Sequence, residues 1–317
     1  MKTISMAKGL WTMTLFMILG CEGAELDASL SAGDGYSTQE QAWETGVSAD
    51  SPNGSHQWLF ARGLVLLSKH ADLPGVAEKL AWLNAPGCLK QARQGLFDAD
   101  FLAQYSGAKK DLTAEASTID YLMAGATYAA HFFDPDTGTT YNGDFSPTAN
   151  AMVNSLLTNS RNVNFQGQSA FACHELGVAA HFFGDLSNPM HTALYTSKNM
   201  PLFLHSNLEV YTMGIQDRYA IADWSQAPRG DVEGLMNETA SRSKALWSDT
   251  FAAVQDTSRA RSCWTKLRPK DNPECWQNAP AVDGLIGESL QLAQDSMARF
   301  LYLTDLGLGL GHGVQGQ

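Results

Sequence analysis

The feature that most limits the fold of this chain is its periodicity. Beyond Trp43, apolar residues recur at every third or fourth position, as they do along one face of an α-helix, and the alternation typical of strands is rare. Near the C-terminus Ile286, Leu290, Ala293, Met297 and Phe300 step by four and three. "SHQWLFARGLVLLSKH" predicts a helix with Ser55 as N-cap. Pro86-Gly87 separates the helical stretches "GVAEKLAWL" and "CLKQARQGLF". A helix over "DLTAEASTIDYLMAGATYAAHFF" would be capped by Asp111 or Thr113, and Pro147 would stand in the first turn of the next. "GQSAFACHELGVAAHFFGD" is stopped by "SNP", and "GDVEGLMNETASRSKALWSDTFAAV" reads as one further helix. The pattern predicts an all-α fold, a single compact domain of about eight to ten helices.

Hydrophobic residues make up 44% of the 317 and charged residues 17%, enough for a sizeable core. The net charge of -12 disfavours binding to a nucleic-acid backbone, so no nucleic-acid partner is expected. Lys2 and Lys8 precede an apolar run, Leu10–Leu19, that is too short to span a bilayer. Residues 1–20 therefore read as an export signal, 21–42 as a polar leader or propeptide, 43–306 as the folded domain and 307–317 as a frayed tail. A secreted or periplasmic protein is expected; the alternative is a lipoprotein anchored through Cys21, because "ILGC" is a loose lipoprotein match. Export makes disulfides available to the other four cysteines. Cys263–Cys275 is the favoured pair, as a clamp on a Pro-rich loop. Cys88–Cys173 is the second possibility, because Cys173 in its apolar helix also suits a buried thiol.

Chemistry concentrates in "HFFGDLSNPMHTALYTSKNMPLFLHSNLE". His181/Asp185 and His205/Glu209 are both spaced i, i+4, which puts each pair on one helix face. His191 follows a helix-ending turn that brings a third imidazole back. A lone pair of this kind is more often an ordinary polar pair. Two pairs with a histidine between them favour a metal site, since zinc takes imidazole nitrogen and carboxylate oxygen. His181 also lies in an apolar stretch, where a polar side chain needs a partner.

The full spacing, His181-x3-Asp185-x5-His191-x13-His205-x3-Glu209 headed by "HFFGDLSNPMH", resembles the bacterial zinc-dependent phospholipase C family. The upstream motifs of that family match as well. Trp43 is followed thirteen residues later by His56, "GLFDADF" supplies Asp100, and "HFFDPDTGTTY" supplies His131. The resemblance implies an all-α fold and three zinc ions. Trp43, His56 and Asp185 would hold one. Asp100, His131, His181 and the bridging Asp185 would hold the second, and His191, His205 and Glu209 the third. Trp43 would ligate through a free α-amino group, which requires cleavage after Ala42.

The activity implied is hydrolysis of a phospholipid, with phosphatidylcholine as the expected partner and the chain acting as a monomer. Asp100 would take the proton of the attacking water. Phe101 and Tyr128 match the aromatics that face the choline ammonium. Gly46 stands where the family has an acid, with Glu44 nearby, which weakens the choline assignment. About 30 residues separate Asp100 from His131, more than is usual in the family, and this insert would shape the mouth of the site or a lid. No C-terminal β-sandwich is expected, since the chain beyond Glu209 reads as helices. Of the remaining histidines, His70 suits a helix C-terminus, His312 lies in the tail, and His174 shares the face of His181. The alternatives are a single-strand-specific zinc nuclease of related fold, or a zinc-binding lipoprotein without catalysis.

Overall fold

The structure is a computed structural model of the chain and describes residues 48–50, 54–101, 105, 108–109, 129–140, 145–195, 204–224, 229–256, 276 and 279–308. All of them fall within one unit, Ser37–Gln317. Ten α-helices lie among the described residues: α1 (Ser55–Ser68), α2 (Val76–Leu83), α3 (Pro86–Phe101), α4 (Ala149–Phe165), α5 (Ser169–Asp185), α6 (Pro189–Thr192), α7 (Leu204–Ile215), α8 (Val232–Ala245), α9 (Trp247–Asp256) and α10 (Pro280–Leu303). Short 3-10 turns occupy Ala129–His131 and Gln216–Tyr219. The only sheet among the described residues pairs two dipeptides, Ala108–Lys109 and Phe145–Ser146, in antiparallel register.

The centre of the fold is α5. From Leu176 to Asp185 every side chain is buried, as expected of a helix apolar on all faces. It packs on α3 on one side and α4 on the other, while α1 packs on α10. Helices α3 and α5 run parallel in constant register. Cys88 bonds to Cys173, and the partner lies 85 residues on. The same offset relates Ala92 to Gly177, whose backbones touch, and Leu96 to His181, whose side chain bonds the Leu96 carbonyl. Glycine makes this approach possible. A Cβ on Gly177 would lie 2.0 Å from the Ala92 oxygen, and one on Gly95 would lie 2.1 Å from the His174 oxygen. The first half of α10 packs with Trp58, Leu208, Tyr211 and Trp276, and its second half with the α3–α5 core. Lys79 of α2, 2% exposed, caps the end of α10 by donating to the carbonyls of Leu301, Tyr302 and Thr304.

Several local expectations change. The N-cap of α1 is Gly54, without a side-chain bond, and Ser55 is the first helical residue. Pro147 stands two residues ahead of α4, outside its first turn. The predicted helix from 231 to 254 breaks at Leu246 into α8 and α9. The disulfide is Cys88–Cys173, whereas the favoured pair, Cys263–Cys275, lies outside the described residues. So do Trp43, Glu44, Gly46, Tyr128, most of the Asp100–His131 insert and His312.

Candidate metal centre

The eight described site residues come from six pieces of chain, and α5 joins them. It ends at Asp185, and Ser187-Asn188-Pro189 then reverses direction. The Asn188 side chain accepts a bond from the Met190 N–H, and Pro189 opens α6. This tight return places His191 Nδ1 3.3 Å from Asp185 Oδ1. His56 comes from the first turn of α1 and stacks on the His181 ring at 3.6 Å. Gly184 makes room for it, because a Cβ there would lie 2.8 Å from His56 Nδ1. Asp100 comes from the last turn of α3, and His131 from the short turn Ala129–His131. His205 and Glu209 lie one turn apart on α7.

The eight described side chains form three adjoining clusters: His56, His181 and Asp185; Asp100, His131 and His181; and His191, His205 and Glu209. All are buried. His131 Nδ1 lies 2.8 Å from Asp185 Oδ2 and 3.2 Å from His181 Nε2. His181 Nε2 lies 3.3 Å from Asp100 Oδ1 and 3.6 Å from Asp185 Oδ2. Asp185 Oδ1 faces His56 Nε2 at 3.6 Å, so its two oxygens point to different clusters. In the third, His191 Nε2 is 3.2 Å from His205 Nε2 and 3.7 Å from Glu209 Oε1, which is 2.7 Å from His205 Nε2.

These spacings suit a metal ion. Ligand bonds of about 2.0–2.1 Å at tetrahedral angles put neighbouring donor atoms roughly 3.3 Å apart. The tautomers suit it too. A carbonyl only accepts, so His181 Nδ1–H donates to the Leu96 oxygen at 2.9 Å and His191 Nδ1–H donates to the His131 oxygen at 3.0 Å. In both rings the Nε2 lone pair is left facing its cluster. Burial holds His131 down to about 4 and keeps His181 and His191 well below the usual histidine range. These three imidazoles are therefore neutral, the form that ligates. Burial pushes the Asp185 carboxyl well up, and the negative charges of Asp100 and Glu209 add to this. Three buried carboxylates this close call for compensating cations. Phe132 stacks on His191 at 4.5 Å and Phe182 packs on His131 at 4.7 Å, giving the site apolar walls.

The described residues thus include eight of the nine ligand positions that the sequence motifs mark. Trp43 falls outside them, as does Tyr128, and of Phe101 only the backbone at the end of α3 is described. His174 lies away from the clusters, bonded to Asp98 at 2.8 Å. His70 meets Asp223 at 2.7 Å. The Leu96 and His131 carbonyls that orient the rings leave no signature among the sequence motifs, because backbone groups look alike in every sequence. The one available signal is the glycine in "HFFGD" and in "HELGV", inside helical patterns where glycine is costly.

No protein-family model matches the chain. The phospholipase C of Listeria monocytogenes is 28% identical over 212 residues, 62% of this chain and 64% of that protein. A phospholipase C of Bacillus cereus is 27% identical over 175 residues, 53% of this chain and 52% of that protein. The chain is thus similar to bacterial phospholipases C over part of its length. It spans between half and two thirds of the length of these relatives. The alpha toxin of Clostridium absonum superposes with a TM-score of 0.53 at 21% identity, covering 80% of this chain and 64% of the toxin. That likeness shows the helical fold.

Proposed function

We propose that the chain is a zinc-dependent phospholipase C, which hydrolyses the phosphodiester on the glycerol side of phosphatidylcholine and related lipids to diacylglycerol and a phosphorylated head group. The carrying observation is the pair of oxygens on Asp185, one facing His56 and the other His131 and His181. A carboxylate shared in this way would let two cations bind side by side, next to the third cluster. His56, Asp100, His131, His181 and Asp185 would hold the pair, with the Trp43 amino group completing it. His191, His205 and Glu209 would hold the third ion. Bound zinc supplies Lewis-acid polarisation of phosphate oxygens and a water acidic enough to attack near neutral pH.

The chain's own groups do the rest. Asp100, 3% exposed at the end of α3, takes the proton of the attacking water as the phosphorus–oxygen bond to glycerol breaks. By the sequence resemblance, Phe101 and Tyr128 would contribute to head-group binding, where a cation over a ring is worth about 0.5–2 kcal/mol. Export by the Lys2–Leu19 signal, with cleavage after Ala42, would free the Trp43 amine.

The decisive assay combines zinc counting with hydrolysis of phosphatidylcholine and of single-stranded DNA, each with and without chelator. Phosphatidylcholine cleavage abolished by chelation is expected. Fewer than two tightly bound ions per chain, or cleavage of DNA alone, would sink the reading. Asp100→Asn should lose activity at least a hundredfold; a zinc-loaded variant of near-full activity would remove Asp100 as the base.

A further inference from the structure

Among the described residues only three large apolar side chains are exposed: Val65, Phe165 at 67% and Phe171 at 45%. Two of the three stand on one turn, between α4 and α5. All seven residues from Phe165 to Phe171 are exposed. Scattered apolar residues need no explanation, but two exposed phenylalanines six residues apart on one turn do.

The turn is held rigidly without burying either ring. Gly167 has φ +78°. The N–H groups of Gln166 and Gln168 both donate to the Val163 carbonyl, at 3.1 and 3.0 Å, and that of Gly167 donates to the Asn164 carbonyl, the bonding of a helix C-cap. Ser169 Oγ donates to Asn164 Oδ1 at 3.1 Å, and Asn164 Nδ2 donates to the Leu306 carbonyl at 2.8 Å. Ser160 Oγ ties α4 to the Ala172 carbonyl at 2.7 Å. The phenyl groups are thus presented on a preformed corner.

Its charge is equally distinctive. "NVNFQGQSAFAC", residues 162–173, carries no ionisable side chain except the disulfide-bonded Cys173. At its borders Arg161 is paired with Asp305 at 3.3 Å and His174 with Asp98 at 2.8 Å. A neutral aromatic tip enters a lipid head-group layer without stripping water from a charge. On a chain of net charge -12 it suits a surface of no net charge, since an anionic surface would repel the rest of the molecule.

We propose that the Phe165–Phe171 corner is an interfacial anchor that seats the protein on zwitterionic phospholipid bilayers. The purpose of such an anchor rests on the phospholipase reading. His181 stands ten residues beyond Phe171 on α5, about 15 Å away at the rise of an α-helix. Anchoring therefore keeps the metal clusters near the source of substrate.

The test is co-sedimentation of the zinc-loaded protein with vesicles of a phosphatidylcholine analogue bearing a non-hydrolysable phosphonate, so that binding is read without turnover. The Phe165→Ala/Phe171→Ala protein should bind at least tenfold more weakly, with its unfolding midpoint and its hydrolysis of monomeric short-chain phosphatidylcholine unchanged. The Phe165→Trp/Phe171→Trp protein should bind at least as well as wild type. Anionic phosphatidylglycerol vesicles should bind less. Equal binding by the alanine protein, stronger binding to anionic vesicles, or self-association lost on substitution would each overturn the anchor. If short-chain lipid is not cleaved but vesicle binding still depends on both phenylalanines, the phospholipase reading fails and the anchor stands.

Discussion

Replacing Gly177 with alanine tests how the α3–α5 crossing supports the metal clusters. The added Cβ would sit 2.0 Å from the Ala92 oxygen and 2.8 Å from its carbonyl carbon. An ordinary contact is roughly 3.4 Å, so the helices must part by about 1.4 Å. Both sides of the contact are backbone, which leaves no rotamer to relieve it, and the Cys88–Cys173 bond one turn earlier resists separation. Overpacking of this kind costs about 3 kcal/mol or more, and the better helix propensity of alanine returns about 1 kcal/mol. A net loss near 2–3 kcal/mol lowers the unfolding midpoint by roughly 5–10 °C in a domain of this size. One turn further on, the proposed site needs Asp100 and His181, now 3.3 Å apart on the two helices, to face one ion, and metal sites tolerate only about 0.2 Å. Zinc affinity at the clusters shared by α3 and α5 should drop, while His191, His205 and Glu209, on neither helix, keep their ion. Calorimetry with elemental analysis of the dialysed protein reads both effects. Gly284→Ala is the control: nothing lies within 4 Å of its Cβ, so up to about 1 kcal/mol of stabilisation is expected. A Gly177→Ala protein with full zinc and an unchanged midpoint would refute the reasoning.

Other expectations rest on single features. The Cys88–Cys173 bond closes a loop with a sequence separation of 85, so the double alanine variant should lose about 4–5 kcal/mol by loop-entropy reasoning. Denaturant titration showing less than about 1 kcal/mol would contradict a cross-link that constrains the unfolded chain. Lys79→Met should lower the unfolding midpoint at pH 7 by several degrees, since three carbonyls at the end of α10 lose their donor; an unchanged midpoint would discount the cap. In the chelated protein, His131 titrates near 4 instead of 6.5. Between these values the unfolded chain binds the extra proton, so stability should fall as pH drops from about 6.5 to 4, by about 3 kcal/mol. His131→Gln should make that slope shallower in urea titrations, with His181 and His191 supplying the rest, and an identical slope would argue that His131 is not among the groups involved.

Much of the candidate site is legible in the sequence because helices are local. The spacings of His181 with Asp185 and of His205 with Glu209 fix a shared face whatever the rest of the chain does. The "SNP" turn likewise promises the return of His191, and Asn188 and Pro189 deliver it. Where signals are short-range but ambiguous, the pattern misleads. A serine and the glycine before it compete for the α1 cap, and only the backbone path chooses Gly54. Leu246 carries no breaker signal, yet α8 and α9 part there.

By itself the sequence determined the helical class and which candidate ligand residues pair along each helix, since these come from the 3.6-residue period and from side-chain chemistry. Only the tertiary structure decided which helices meet. The parallel register of α3 and α5 joins Cys88 to Cys173, Ala92 to Gly177 and Leu96 to His181. It arises from two glycine-lined backbones approaching across a sequence separation of 85. It also selects the carbonyl that orients His181, and so turns the ring's Nε2 towards Asp100 and Asp185. Local pattern cannot encode that choice, because it is made by packing between segments whose sequences carry no mark of each other.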